Sequence, residues 1–154
     1  MAADAKPEMP LHHVREVIFD EQRYSYNQPY KGARRFNKHY TSIIGDLKDK
    51  GEEYECALHL DCLAKVKYWI RNVDRQKNSF WLQLPNGKFY PDFIALLHDG
   101  RILVVEYKGE HIYEHEIVKK RIGDFWAEVS NGKCLFCMPS GRNYELIDET
   151  INSL

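Results

Sequence analysis

The residues that could do chemistry lie in one stretch, FYPDFIALLHDGRILVVEYKG, at positions 89–109. Asp92 follows Pro91, Glu106 comes fourteen positions later, and Lys108 two beyond that. Side chains alternate along a strand, so Glu106 and Lys108 share one face and Val105 and Tyr107 the other. Whether Asp92 joins them depends on the intervening turn. A two-residue Asp99-Gly100 loop sets Asp92 opposite Tyr107. A three-residue His98-Asp99-Gly100 loop, a type I turn closed by Gly in the left-handed region, pairs Leu97 with Arg101 and Asp92 with Glu106. Both loops are compatible with the sequence, and the three-residue form is expected because it brings the two carboxylates together. Paired carboxylates repel unless a cation lies between them, and oxygen ligands suit Mg²⁺, with Mn²⁺ as a substitute, over Zn²⁺. The backbone carbonyl of Tyr107 could supply a third oxygen. A metal held this way lowers the pKa of bound water and polarises a phosphoryl oxygen, while Lys108 can orient the water and offset charge on phosphorus. Phosphodiester hydrolysis uses all of these parts.

The elements that would position these groups follow from periodicity. Gly51 to Lys65 reads as a helix with Glu52, Glu53 and Glu55 in its first turn, favourable at the positive N-terminus. Val66 to Val73 is β-branched and aromatic, hence a short strand or extended segment. Three strands are then expected at Phe80–Leu84, Phe89–Leu97 and Arg101–Tyr107, separated by Pro85-Asn86-Gly87 and His98-Asp99-Gly100 and forming a meander. Tyr113 to Val129 turns helical, with Ile117, Val118, Ile122, Phe125, Trp126 and Val129 as one apolar stripe, and Asn131-Gly132 ends it. A further strand covers Cys134–Met138, and a short helix or strand is expected around Tyr144–Ile151. The order is helix, three strands, helix, strand, which predicts an α/β fold with a mixed central sheet flanked by helices. Residues 1–23 read as a polar N-terminal extension, partly disordered, with only Val14–Phe19 resembling a strand or helical turn; 24–154 forms the domain.

At 154 residues there is room for one core. Twenty-two Lys and Arg against twenty-three Asp and Glu exclude a globally basic nucleic-acid binder, so any such affinity must come from local patches. No stretch has the length and apolarity of a membrane helix or signal peptide, so a soluble, cytoplasmic protein with no membrane partner is expected. The four cysteines need form no disulfides in a chain large enough to bury a core.

Pro91-Asp92 followed by Glu106-x-Lys108 resembles the PD-(D/E)XK motif of restriction-endonuclease-like nucleases, and the element order is similar to their common core. The longer text EYECALHLD, WIRN, SFWLQL, KFYPDF, DGRILVVEYKG, Trp126 and CLFCMP is similar to the C-terminal endonuclease domain of type III restriction enzyme cleavage subunits, over about residues 24–139. The resemblance implies Mg²⁺-dependent cleavage of double-stranded DNA with Asp92, Glu106 and Lys108 as the catalytic set. It also implies a further acid from the first helix, which maps onto Glu55, with Glu53 as second choice. Those subunits carry a helicase-like motor and work with a modification subunit, and cutting both strands requires two sites, as in a homodimer or a recruited pair. This sequence has no GxxxxGK[ST] loop, so ATP dependence does not carry over.

Other readings compete. A catalytically silent DNA-binding or assembly module would keep the same fold. His111, Glu114 and His115 form an H-x-x-E-H string, which as a helix could serve a zinc metallopeptidase. Cys134 and Cys137 form a CxxC whose side chains would fall on opposite faces of a strand, wrong for zinc. The basic, tyrosine-rich segment Tyr24–Lys50 is a candidate DNA surface, which Lys65, Lys67, Arg71, Arg75 and Lys77 could continue, and Lys120 could face the site. The alternative for each is a solvated face with tyrosines packed inward.

Overall fold

A computed structural model describes residues 14–110 and 114–153. Helix α1 (Glu52–Cys62) leads into strand β1 (Val66–Arg71). Two short strands, β2 (Leu82–Leu84) and β3 (Gly87–Phe89), precede β4 (Phe93–Leu97) and β5 (Ile102–Val105). Helix α2 (Glu114–Glu128), strand β6 (Cys134–Cys137) and helix α3 (Glu145–Asn152) complete the order. The main sheet runs β1-β4-β5-β6, antiparallel except for the parallel β5–β6 pair that α2 connects.

Helices cover both faces of this sheet, so β4 (FIALL) and β5 (ILVV) are buried at every position. Phe93, Ala95, Leu97, Leu103 and Val105 pack with Cys56, Ala57 and Leu60 of α1 and Ile147 and Ile151 of α3. Ile94, Leu96, Ile102 and Val104 point the other way, towards Trp126 of α2, Phe80, Leu82 and Phe89. Val14, Ile18 and Phe19, on a single π-helical turn and its exit, also enter this second core. Cys134 lies in one core and Cys137 in the other, as their spacing along a strand requires, and all four cysteines are free thiols.

The three-strand part of the main sheet is not the one expected from the sequence. Its first strand is β1, which pairs with β4 from Val66↔Leu97 to Arg71↔Phe93. Leu82–Leu84 and Gly87–Phe89 instead form a separate two-stranded ribbon. The expected continuous strand Phe89–Leu97 breaks at Tyr90-Pro91-Asp92, because proline has no N–H to give a ladder.

Helix α2 also turns a different face inward. Glu116, Gly123 and Trp126 are buried, whereas Ile117, Val118, Phe125 and Val129 are exposed. Gly123 allows the close approach: a Cβ there would lie 2.5 Å from the ring of Phe136. No helix among the described residues is long and apolar enough to cross a membrane. Of the expected extension over residues 1–23, residues 1–13 lie outside the described residues, and Val14, Ile18 and Phe19 pack into the domain core.

Candidate functional site

The β4–β5 hairpin has the register that brings the acids together. Phe93↔Val105 through Leu96↔Ile102 are paired, and Leu97 N–H donates to the carbonyl of Arg101 at 2.9 Å. Gly100 N–H returns to the carbonyl of Leu97 at 2.9 Å, with Gly100 at φ +93°. This is the three-residue loop, and continuing the register one step sets Asp92 opposite Glu106.

Two further backbone contacts fix Asp92. Beyond the last β4–β5 pair, Tyr107 N–H donates to its Oδ2 at 2.8 Å. Its backbone carbonyl accepts from Asn72 N–H at 2.9 Å. The buried Asn72 side chain donates to the carbonyls of Phe80 and Pro91 at 2.9 and 2.8 Å and accepts from Phe80 N–H at 2.9 Å. One amide thus clamps the ends of β1, the ribbon entry and the Pro91-Asp92 corner. Glu106 and Lys108 are set by a continuation of the β5–β6 ladder, their N–H groups donating to the carbonyls of Cys137 and Pro139 at 3.0 and 2.9 Å.

Two cations flank the carboxylate pair. Arg71, 13% exposed, reaches Oδ1 of Asp92 with Nη1 at 3.2 Å and Oε1 of Glu53 with Nη2 at 2.7 Å. Its guanidinium sits over the Phe93 ring, 5.1 Å from the centroid. On the other side Lys108 Nζ lies 2.7 Å from Oε2 of Glu106 and also contacts Oε2 of Glu116. Lys119 Nζ is 3.6 Å from Oε1 of Glu116, and His115 is 2.7 Å from the same oxygen.

The electrostatics follow from burial and these neighbours. Burial raises Asp92 well above the ordinary carboxylate range, and the adjacent Glu106 charge adds to this against the opposing pull of Arg71. Glu106 is also raised by burial, although Lys108 counteracts it. Burial alone would lower Lys108; Glu106 and Glu116 outweigh it and hold the ammonium above its usual value. Burial likewise works against the Glu116 carboxylate, but Lys108 and Lys119 prevail and its pKa falls. Both acids therefore hold a proton more readily than free carboxyls do, and Oε1 of Glu106 is a buried acceptor with no hydrogen-bond partner among the described residues.

A hard cation fits these features: it would take the open oxygen of Glu106 and offset the Glu106 charge that helps to raise Asp92. Among the described residues, no group of three or more His, Cys, Asp and Glu side chains is arranged to hold a metal ion, so such a cation would rely on the pair together with non-side-chain oxygens.

Glu55 is turned elsewhere. Its Oε1 accepts from Arg142 Nε at 2.9 Å and Tyr144 O–H at 3.0 Å, which together hold its pKa below the usual range. Glu53, the second choice, is the first-helix acid joined through Arg71 to Asp92. The reason is helical phase: Glu52 and Glu55, three apart, share the side on which Tyr107 O–H meets Glu52 and Tyr144 meets Glu55, and Glu53 falls round towards Arg71.

No family model, curated protein or solved structure matches this chain.

Several residues of the site had only weak signals. Arg71 looked like part of a basic surface run and is instead drawn inward. Its signal was position, since it ends a strand otherwise composed for burial. Lys120 pairs with Asp124 at 2.7 Å on the exposed side of α2, and its neighbour Lys119 is the one near the site. Glu116 carried no signal, because an acid in the first turn of a helix usually serves the macrodipole.

The basic segment 24–50 is tied down from within. Asp61, buried, accepts from the N–H groups of Asn37 and Lys38 and from Trp69 Nε1–H. Lys38 Nζ donates to the carbonyls of Leu63 and Val66, closing the end of α1. Tyr30 and Phe36 pack against Tyr54 in an aromatic cluster that continues through Phe36 to Trp69. Arg34 and Arg35 stay exposed along one cleft, Lys48 and Lys50 along another that adjoins Glu53, Arg71 and Tyr107. Of the H-x-x-E-H string, His111 lies outside the described residues; Glu114 and His115 are exposed at the start of α2.

Proposed function

We propose that this chain is a Mg²⁺-dependent DNA endonuclease module that hydrolyses phosphodiester bonds, similar in its site to the nuclease domain of type III restriction enzymes. The observation that carries the reading is the buried oxygen of Glu106 beside Asp92, which has no hydrogen-bond partner among the described residues, with the Lys108 ammonium on the adjoining oxygen.

Asp92 and Glu106, with the Tyr107 carbonyl, would hold Mg²⁺ or Mn²⁺. Such a cation supplies a more acidic bound water and a Lewis acid for the phosphoryl oxygen. Lys108 stands where it can donate to a water attacking phosphorus and offset charge on the phosphate. Tyr107 N–H and Arg71 hold the two oxygens of Asp92 in a fixed orientation. The exposed Lys48 and Lys50, on the cleft that adjoins Glu53, Arg71 and Tyr107, offer phosphate contacts for a bound duplex, and Arg34 and Arg35 line a separate cleft.

The test is cleavage of supercoiled plasmid with Mg²⁺ or Mn²⁺, comparing the intact chain with Lys108→Ala and with EDTA. The expected result is nicked or linear product, abolished by chelation and reduced at least about a hundredfold in Lys108→Ala. A folded, metal-binding chain that retards DNA without cutting it would point to the silent binding module.

A further inference from the structure

The site is a row of charges, Glu53, Arg71, Asp92, Glu106, Lys108 and Glu116, that is symmetric about its two central acids and drawn from α1, β1, the β4–β5 hairpin and α2. Its two inner acids are adjacent, and each is contacted by one cation. Each of those cations is in turn shared with an outer acid from a different helix. A cation that neutralised its inner acid fully would compete with a metal for the same oxygens. Sharing reduces that competition. The Arg71 guanidinium lies closer to Glu53, at 2.7 Å, than to Asp92, at 3.2 Å. Lys108 divides itself between Glu106 and Glu116, and no donor among the described residues reaches Oε1 of Glu106.

We propose that Glu53 and Glu116 are positioning residues that hold Arg71 and Lys108 back from the Asp92–Glu106 pair and so set the affinity of the site for a divalent cation. This rests on the reading of Asp92 and Glu106 as metal ligands. Neither outer acid touches the metal position in this account. Each acts through one named cation, and that is what separates the idea from a general negative field.

Calorimetric titration of the full chain with Mn²⁺ tests this without any need for turnover. Glu53→Gln and Glu116→Gln are each expected to weaken binding about tenfold, because an unshared cation settles on its inner acid. Glu53→Asp, which keeps the charge, should recover most of the loss. Arg71→Gln should tighten binding, and adding Glu53→Gln to it should change nothing further, the coupling expected of two residues that act through each other.

An equal loss on Glu53→Gln with and without Arg71 would overturn the proposal in favour of a diffuse field. Unchanged affinity in folded Glu53→Gln and Glu116→Gln would overturn it outright. If Arg71→Gln does not fold, the Glu53→Gln and Glu53→Asp pair decides, since Glu53 is 46% exposed and its amide variant threatens no core. An intact chain that binds no Mn²⁺, or binds it as well after Asp92→Asn, would remove the metal reading itself, a result distinct from the others.

Discussion

Trp69 and Asp61 are joined by an indole N–H that donates to Oδ1 of a buried carboxylate at 2.9 Å. The same carboxylate receives the backbone N–H groups of Asn37 and Lys38, so one acid on α1 fixes both the strand that ends in Arg71 and the loop that carries Arg34 and Arg35.

Asp61→Ala would strand three donors. The expected cost is about 3 kcal/mol or more in urea unfolding, since each buried unsatisfied group costs on the order of 1–3 kcal/mol. Trypsin should then cut faster at Lys31, Arg34, Arg35 and Lys38. Unchanged proteolysis at these sites would mean that the aromatic cluster alone holds the loop.

His39 Nε2 accepts from Arg71 N–H at 3.0 Å, and this network assigns the proton to Nδ1, facing the Thr41 carbonyl. Burial lowers its pKa from 6.5 to about 4. The unfolded chain therefore binds the proton more tightly, and stability conferred by the neutral ring is full above 6.5 and lost as pH falls through about 4. Over that window the intact chain should lose roughly 3 kcal/mol that His39→Gln does not. Urea titrations at several pH values measure the difference, and a ring that titrates near its ordinary value by NMR would refute it.

Asp92 shows the opposite sign. Burial and the Glu106 charge raise its folded pKa above the unfolded value, so its contribution is most favourable below the unfolded pKa and falls as pH rises through the folded one. In EDTA at pH 7, Asp92→Asn should raise the thermal midpoint of the chain. The gain should vanish below about pH 3.9, where the acid is protonated in both states. A lower midpoint at pH 7 would show that the pairing with Arg71 outweighs the burial of the charge.

Gly123→Ala sets two effects against each other. Alanine favours a helix by about 1 kcal/mol, but its Cβ would lie 2.5 Å from the buried ring of Phe136. Phe136 packs edge-on against Phe89 and has little room to yield, so the substitution should cost about 1–3 kcal/mol on balance. Stabilisation in chemical denaturation would mean that α2 can shift outward without loss.

Much of the hairpin could be read from the sequence because it depends on local rules. Alternation placed Glu106 and Lys108 on one face and Gly100 after Asp99 permitted a left-handed turn residue, but two loop lengths fitted the sequence, and the three-residue register was expected only because it joins the two carboxylates. Alternation also separated Cys134 from Cys137. The α/β order was legible for the same reason, since periods of 2 and 3.6 report on neighbours in the chain.

What the tertiary structure decided depends on partners far apart in sequence. The Leu82–Leu84 segment has the composition of a sheet strand, yet it pairs with Gly87–Phe89 because Pro91 cannot extend the ladder. The apolar residues of α2 suggested one buried face, but Lys108 draws Glu116 inward and Phe136 meets Gly123, turning Ile117 and Phe125 to the surface. The choice of Glu53 over Glu55 rests on the phase of one helix turn relative to Arg71, and nothing along the chain encodes that phase. Charge pairing across elements is set by which faces meet, and which faces meet is settled only when the whole core packs.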